Sequence, residues 1–294
     1  MTDRQLFCFG YGYVAAALGA LLRRKGWHIA GTTTSAEKAA SMTHSGVSTH
    51  LWRDTGFDTG WLDNTNAILI STPPGEDGCP SLAAAQEDIA AHAKQIQWIG
   101  YLSTNGVYGD HDGAWVSEES ELRPSSDRAR RRVQAEKAWA AFARTHQLPL
   151  IVFRLPGIYG PGRSALDSVR QGRAKRVLKP GQVFSRMHVN DIAAALIASM
   201  EKPFQYSLFN LADDEPAPPQ DVIEYACMLL GVAPPPLVSL DDASMSDMAK
   251  SFYADNKRVL NKRMKDALGV TLAYPTYREG LNAIFAAENN TKER

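Results

Sequence analysis

Residues 5–35 read QLFCFGYGYVAAALGALLRRKGWHIAGTTTS, and this stretch decides the fold. Leu6-Phe7-Cys8-Phe9 is an apolar run too short for a helix and closed by a glycine, the pattern of a buried parallel strand. Gly10, Gly12 and Ala15 follow with the spacing G-x-G-x-x-A, and Ala16 to Leu22 is a run of helix formers broken only by Gly19. Each position has a mechanical reason: Gly10 permits a tight turn, Gly12 lets main chain approach a pyrophosphate, and Ala15 lets helix and strand pack closely. The N–H groups from Gly10 through Tyr11, Gly12 and Tyr13 to Val14 then face the anion at a helix N-terminus. Trp27-His28-Ile29-Ala30 resumes as a second strand after Gly26. Strand, turn, helix and strand form one βαβ unit, the context that separates a dinucleotide site from a bare tight turn.

Composition sets the remaining bounds. The 294 residues are 44% hydrophobic and 22% charged with a formal net charge of zero, as in a globular chain with no field to attract nucleic acid or anionic membrane. No apolar run reaches the roughly 18 residues of a membrane span, and the first residues lack a signal-peptide pattern. Cys8, Cys79 and Cys227 are few and far apart; they suit a reducing compartment and match no metal-ligand spacing. The expectation is a cytoplasmic protein without a metal, a monomer or homodimer, whose partner is a small-molecule substrate.

The second strand ends in Gly31-Thr32-Thr33-Thr34-Ser35, with no acid before Glu37. A site for NAD usually places Asp or Glu there to accept from the ribose 2′-hydroxyl. Thr33, Thr34, Ser35 and Lys38 offer donors to a 2′-phosphate instead, so the cofactor expected is NADP, with NAD the alternative. The same hydroxyls also suit a helix cap. Val47 to Trp52 reads as a third strand, with Asp54 past its end. Ala67 to Ile70 is a buried strand broken by Ser71-Thr72-Pro73-Pro74, a wall for the cofactor cleft at the carboxyl ends of the strands. A helix over Leu82 to Gln95 and a strand over Gln97 to Leu102 follow.

That strand runs into Ser103-Thr104-Asn105-Gly106-Val107-Tyr108-Gly109. Arg154-Leu155-Pro156-Gly157-Ile158-Tyr159-Gly160-Pro161-Gly162, His188-Val189-Asn190-Asp191 and Phe209-Asn210-Leu211-Ala212-Asp213-Asp214 come later. In this order and spacing the set resembles the NAD-dependent epimerase/dehydratase family, atypical among extended short-chain dehydrogenase/reductases. The resemblance implies a polar contact from Thr104 to substrate, a cofactor contact at Ser103, and main chain at Pro156, Gly157 and Ile158 lining the nicotinamide end. It also implies a Tyr-x-x-x-Lys pair on the next long helix, the tyrosine moving a proton and the lysine holding the nicotinamide ribose.

Here the sequence departs from the family. With Glu136 aligned to the family's usual glutamate, the tyrosine falls on Arg128 and the lysine on Arg132, and no tyrosine lies between Tyr108 and Tyr159. Arginine stays protonated, so Arg128 cannot cycle as an acid/base. Arg132 retains donors for ribose hydroxyls. Four residues apart, the two share a helix face that suits either an anionic group or ion pairs with Glu118, Glu119 or Glu121. Asn105 and Gly106 stand where dehydratases of the family carry an acid pair. Tyr108 and Tyr159 sit where tyrosine is structural.

Residues 161–186 form a loop-rich insertion carrying Arg163, Arg170, Arg173, Lys175, Arg176 and Lys179; in relatives this region faces substrate, but a solvated surface fits equally. His188 reads as a strand-end or cap residue. Apolar helix Asp221 to Leu230, basic helix Asn256 to Leu268 and a polar tail complete the chain. The expected fold is a Rossmann-like α/β, a doubly wound parallel sheet from 1–160 with 187–212 returning to it. A substrate-side lobe comprises 161–186 and 213–286, and 287–294 is a fraying tail. Two functions follow: an NAD(P)-dependent oxidoreductase or epimerase-like enzyme acting on a polar substrate such as a nucleotide sugar, or an inactive NAD(P)-binding sensor or partner-binding protein.

Overall fold

The apolar run after Arg4 forms the strand its pattern implies: β1 is Gln5–Phe9, with Leu6 to Phe9 fully buried. In the computed structural model, which describes residues 4–52, 56–202, 206–241, 245 and 247–292, the chain divides into two compact units. The first comprises Met1–Thr104, Arg130–Arg154 and Ala193–Phe209; the second comprises Asn105–Ala129, Leu155–Ile192 and Asn210–Arg294.

The first unit is built on a seven-stranded sheet of β1, β2 (His28–Thr33), β3 (Ser48–Leu51), β4 (Ala67–Ile70), β5 (Trp98–Thr104), β7 (Leu150–Leu155) and β11 (Tyr206–Asn210). Its strand order is β11-β7-β5-β4-β1-β2-β3, and the pairs from β3 across to β5 are parallel. The chain winds outward from β1 to β3 and then starts again on the other side at β4. That reversal makes the carboxyl ends of β1 and β4 the topological switch point, where open α/β sheets bind ligands. Helices α1 (Tyr13–Arg24), α2 (Ala36–His44), α3 (Pro80–Ala91), α4 (Asp127–His146) and α6 (Val189–Met200) are the other elements of this doubly wound pattern. Phe7 and Phe9, two apart on one face of β1, join Ile68, Ile99, Tyr101, Trp139 and Val152 in the main core. Ser103 and Thr104 belong to β5 itself, so Thr104 ends a strand. Asp54 lies outside the described residues.

The second unit holds three short parallel pairs: β6 (Trp115–Val116) with β13 (Arg258–Val259), β8 (Gly157–Tyr159) with β10 (Arg186–His188), and β9 (Arg176–Leu178) with β12 (Leu237–Ser239). Around them stand α5 (Ala165–Arg170), α7 (Pro219–Leu230), α8 (Asp247–Ala254), α9 (Lys262–Leu268) and α10 (Tyr277–Lys292). Tyr159, Leu166, Ala226, Tyr277 and Leu281 form its core.

Two sequence expectations are corrected. The basic helix begins only at Lys262, because Arg258 and Val259 pair with Trp115 and Val116, a partnership across the chain that no local pattern announces. The tail does not separate from the fold at residue 287: α10 continues to Lys292, and Glu288 pairs with Arg170 at 2.6 Å. Among the described residues no helix is long and apolar enough to cross a membrane.

The closest approach beneath the glycine turn involves Tyr11, whose ring lies in a slot between Gly19 of α1 and Gly31 of β2. A Cβ added to Gly31 would stand 3.1 Å from the Tyr11 ring and 3.2 Å from Cys8 Cβ. Gly31→Ala is therefore expected to cost about 1–3 kcal/mol in urea unfolding, the usual range for overpacking. The loss should shrink in a Tyr11→Ala background, because the two positions are in contact.

Candidate functional site

The glycine turn is shaped from both sides. Gly10 adopts φ 81°, and a Cβ there would meet Thr72 Cγ2 at 3.2 Å and Thr72 N at 3.3 Å. Its N–H donates to Thr32 Oγ1 at 2.8 Å, and the Tyr11 N–H donates to the Thr32 carbonyl at 2.8 Å. Thr72 is itself fixed by donating to Ser81 Oγ at 3.0 Å, and the Ser71 N–H donates to the Phe9 carbonyl at 2.9 Å. The residues after β1 and after β4 are thus pinned to each other. Gly12 caps α1 with no side chain to bond the first turn, and that turn contains no acidic residue. A helix N-terminus opened by a small residue and lacking an acid suits a bound pyrophosphate. The structure therefore fits a dinucleotide at Gly10, Tyr11, Gly12, Tyr13 and Val14, beside Ser71, Thr72 and the exposed Pro73.

At the end of β2 the hydroxyls divide between two tasks. Thr33 Oγ1 accepts from the Ser35 N–H at 3.2 Å, and Ser35 Oγ caps α2 by accepting from the Lys38 N–H, also at 3.2 Å. Thr34 and Lys38 are exposed. Capping and phosphate recognition are compatible, since a capping hydroxyl keeps its proton to donate.

The end of β5 carries a buried charged network. Ser103 donates its hydroxyl to Glu136 Oε1, and Arg154 grips the same carboxylate with Nε at 3.2 Å and Nη2 at 2.7 Å. The Arg154 and Glu136 side chains are 5% and 7% exposed, so this is a fully desolvated pair held by a fork-shaped contact. Ser103 turns inward to this network. The signal for it was in the sequence: Glu136 stands four residues after Arg132 on α4, which puts both on one helix face.

Arg128 and Arg132 do not present a common exposed face. Arg128 is exposed, whereas Arg132 is buried and donates Nη1 to the Leu102 carbonyl at 2.8 Å and to Tyr101 Oη at 3.1 Å. Nor do the expected acids pair with either arginine. Glu118 accepts from the Asn210 N–H and lies near Arg263, Glu119 pairs with Arg263, and Glu121 pairs with Arg123. Arg131 of the same run pairs with Glu76 at 2.7 Å.

In the second unit, Pro156 precedes β8, which pairs Gly157 with Arg186, Ile158 with Met187 and Tyr159 with His188. The Tyr108 hydroxyl donates to Asn210 Oδ1 at 2.7 Å, and that of Tyr159 to the Thr276 carbonyl at 3.3 Å. Burial raises the Tyr159 pKa well above that of a free phenol. His188 ends β10 and accepts the Asn190 N–H on Nδ1 at 3.2 Å, so it is both strand end and cap. Its ring meets Tyr159 edge to face and Tyr274 at a tilt, and burial pushes its pKa down to about 4. Asp191 accepts two N–H groups, from Ala273 and Tyr274, at 2.9 Å each.

Four cations of the basic insertion have partners in the structure. Arg170 pairs with Glu288, Arg173 donates to Gln171, Arg176 pairs with Glu224 at 2.9 Å, and Lys179 donates to the Tyr253 carbonyl at 2.5 Å. The sequence assigned no role to Arg186 or Asp213, which the structure brings together. The Asp213 N–H donates to the Arg186 carbonyl at 2.8 Å, and the Arg186 guanidinium lies 5.7 Å from the Tyr277 ring centre. Burial outweighs the nearby Arg186 charge and pushes the Asp213 pKa up to about 8.

A family model described as NAD dependent epimerase/dehydratase matches residues 84–212. Protein YeeZ of Escherichia coli K12 is 27% identical over 284 residues, covering 90% of this chain and 94% of its own. A functionally unknown conserved protein from Silicibacter pomeroyi has a solved structure that is 49% identical, covers 97% of this chain and 99% of its own, and has a TM-score of 0.89. UDP-glucuronic acid 4-epimerase from Bacillus cereus, solved in complex with NAD, is 16% identical, covers 98% and 99%, and has a TM-score of 0.75.

The raised Asp213 pKa has a signed consequence. Native protein holds a proton that the unfolded chain releases near the ordinary carboxylate value, so this group makes stability fall as pH rises toward about 8. His188 acts oppositely: stability is lost as pH falls from about 6.5 to 4. Between about pH 6.5 and 8 the Asp213 effect stands apart from that of His188, and the thermal midpoint should fall across that window. Asp213→Asn should flatten the fall; an unchanged slope would exclude Asp213 as its source.

Proposed function

We propose that this chain, whose residues 84–212 match the NAD dependent epimerase/dehydratase family model, is a member of that family and binds a nicotinamide dinucleotide, NADP in preference to NAD, without the family's tyrosine–lysine proton relay. The pyrophosphate is held by main chain from Gly10 to Val14 at the N-terminus of α1, beside Ser71 to Pro73. Thr34, Ser35 and Lys38 receive the 2′-phosphate, in keeping with the missing acid at the end of β2. Relatives crystallised with NAD support a dinucleotide of this class.

When bound, such a cofactor supplies a hydride donor or acceptor; moving the accompanying proton is left to protein side chains. The observation that carries the reading is the pair of arginines on α4. Arg128 is exposed and remains a cation at any working pH, and Arg132 is bonded to β5. The Tyr108 and Tyr159 hydroxyls donate to Asn210 and the Thr276 carbonyl. The best-supported function is accordingly a cytoplasmic NADP-binding sensor or partner-binding protein, a monomer or homodimer. A second reading, an oxidoreductase or epimerase-like enzyme on a polar small molecule such as a nucleotide sugar, is favoured by Thr104, a hydroxyl kept at the end of β5. The UDP-sugar enzymes among the similar structures point to that substrate class.

Titration of the purified protein with NADPH and NADH, read by nicotinamide fluorescence, should give NADPH the tighter binding by about tenfold, one well-placed charged contact's worth. Binding of neither would overturn the proposal. With NADP bound, no turnover is expected across a panel of nucleotide sugars; turnover that Thr104→Val abolishes would establish the enzymatic reading instead.

A further inference from the structure

The pairing of β4 with β5 ends at Ile70 and Tyr101. Beyond Tyr101, the residues Leu102, Ser103 and Thr104 continue β5 without β4 alongside. Two side chains from one face of α4 meet this overhang. Arg132 takes the Leu102 carbonyl and the Tyr101 hydroxyl, with its guanidinium 5.5 Å from the centre of the Tyr101 ring. Glu136, one turn later, takes the Ser103 hydroxyl and is clamped by Arg154 of β7.

We infer that Arg132 is a positioning residue, which fixes the carboxyl end of β5 and with it Thr104 and does not hold the cofactor ribose. This deepens the reading of a lost relay and rests on it for the importance given to Thr104. The chemistry explains why arginine stands here. A planar guanidinium can stack against an aromatic ring while its fork of donors bonds a carbonyl and a phenol; an ammonium is a strongly hydrated point charge, poorly suited to a buried seat. Tyr101 is the matching half of the arrangement, wholly buried in β5 and accepting from the guanidinium. Restoring lysine at 132 should therefore damage the site.

Hydrogen exchange on the full-length protein without ligand tests this. In Arg132→Lys and Arg132→Ala alike, amides of residues 102–106 should exchange on the order of tenfold faster, as the loss of a buried charged hydrogen bond implies, while those of β1 and β2 keep wild-type rates. Tyr101→Phe removes one of the two acceptors and should give a smaller rise at the same amides, which keeps the test available if the Arg132 variants fail to fold. In parallel, NADPH affinity is compared with that of the adenosine bisphosphate half of NADP, which lacks the nicotinamide ribose. Positioning predicts that lysine fails to rescue any loss of NADPH affinity seen with alanine. Wild-type exchange at 102–106 in Arg132→Ala, or a selective loss of NADPH affinity that Arg132→Lys restores, would overturn the inference. Because exchange is read without dinucleotide, a failure of NADPH to bind would fell the functional proposal while leaving this one to its own result.

Discussion

At Gly10 the turn after β1 lies so close to the residues that follow β4 that a Cβ would be crowded, and much of the site follows from that constraint. A Cβ at this position would press on both the side chain and the main chain of Thr72, and the backbone takes a conformation that favours glycine. Thr32 accepts from the Gly10 N–H with its hydroxyl and from the Tyr11 N–H with its carbonyl, so β2 fixes the turn from the other side. Sheet order places this junction at the topological switch point, and the residue that ends it, Gly12, leaves α1 uncapped by any side chain. Binding potential arises here from main chain held in place by packing, not from a charged cluster.

Charge is used differently elsewhere in the first unit. Glu136 and Arg154 are buried together, and removing either partner of such a pair typically costs about 3–5 kcal/mol because the other charge is left without compensation. Ser103 is tied to that pair, and Arg132 satisfies the carbonyl one residue earlier. On this helix Arg128 is exposed, whereas Arg132 is buried and bonded to β5.

Most of the first unit was legible in the sequence, because buried parallel strands are short apolar runs and their ends are marked by Gly, Pro and Ser. Leu6 to Phe9 and Ala67 to Ile70 needed nothing more. The dinucleotide turn was legible for the same reason: its geometry is local. The second unit was harder. Arg258 and Val259 look helical beside the lysines and arginines that follow, yet their strand partner lies at residues 115–116. The arginines and lysines of 161–186 read equally as a substrate-facing or a solvated surface, and only the structure shows the partners Glu224, Glu288 and the Tyr253 carbonyl. Arg132 illustrates the general limit: the spacing gave its helix face, but only the structure showed that this face meets β5.

The most direct test of the whole account is a crystal structure grown with NADPH. It should show the pyrophosphate against the main chain of Gly12 to Val14, the 2′-phosphate beside Thr34 and Lys38, and Arg132 still donating to the Leu102 carbonyl. A structure with the turn bare at saturating NADPH, or with Arg132 swung onto the nicotinamide ribose, would contradict it.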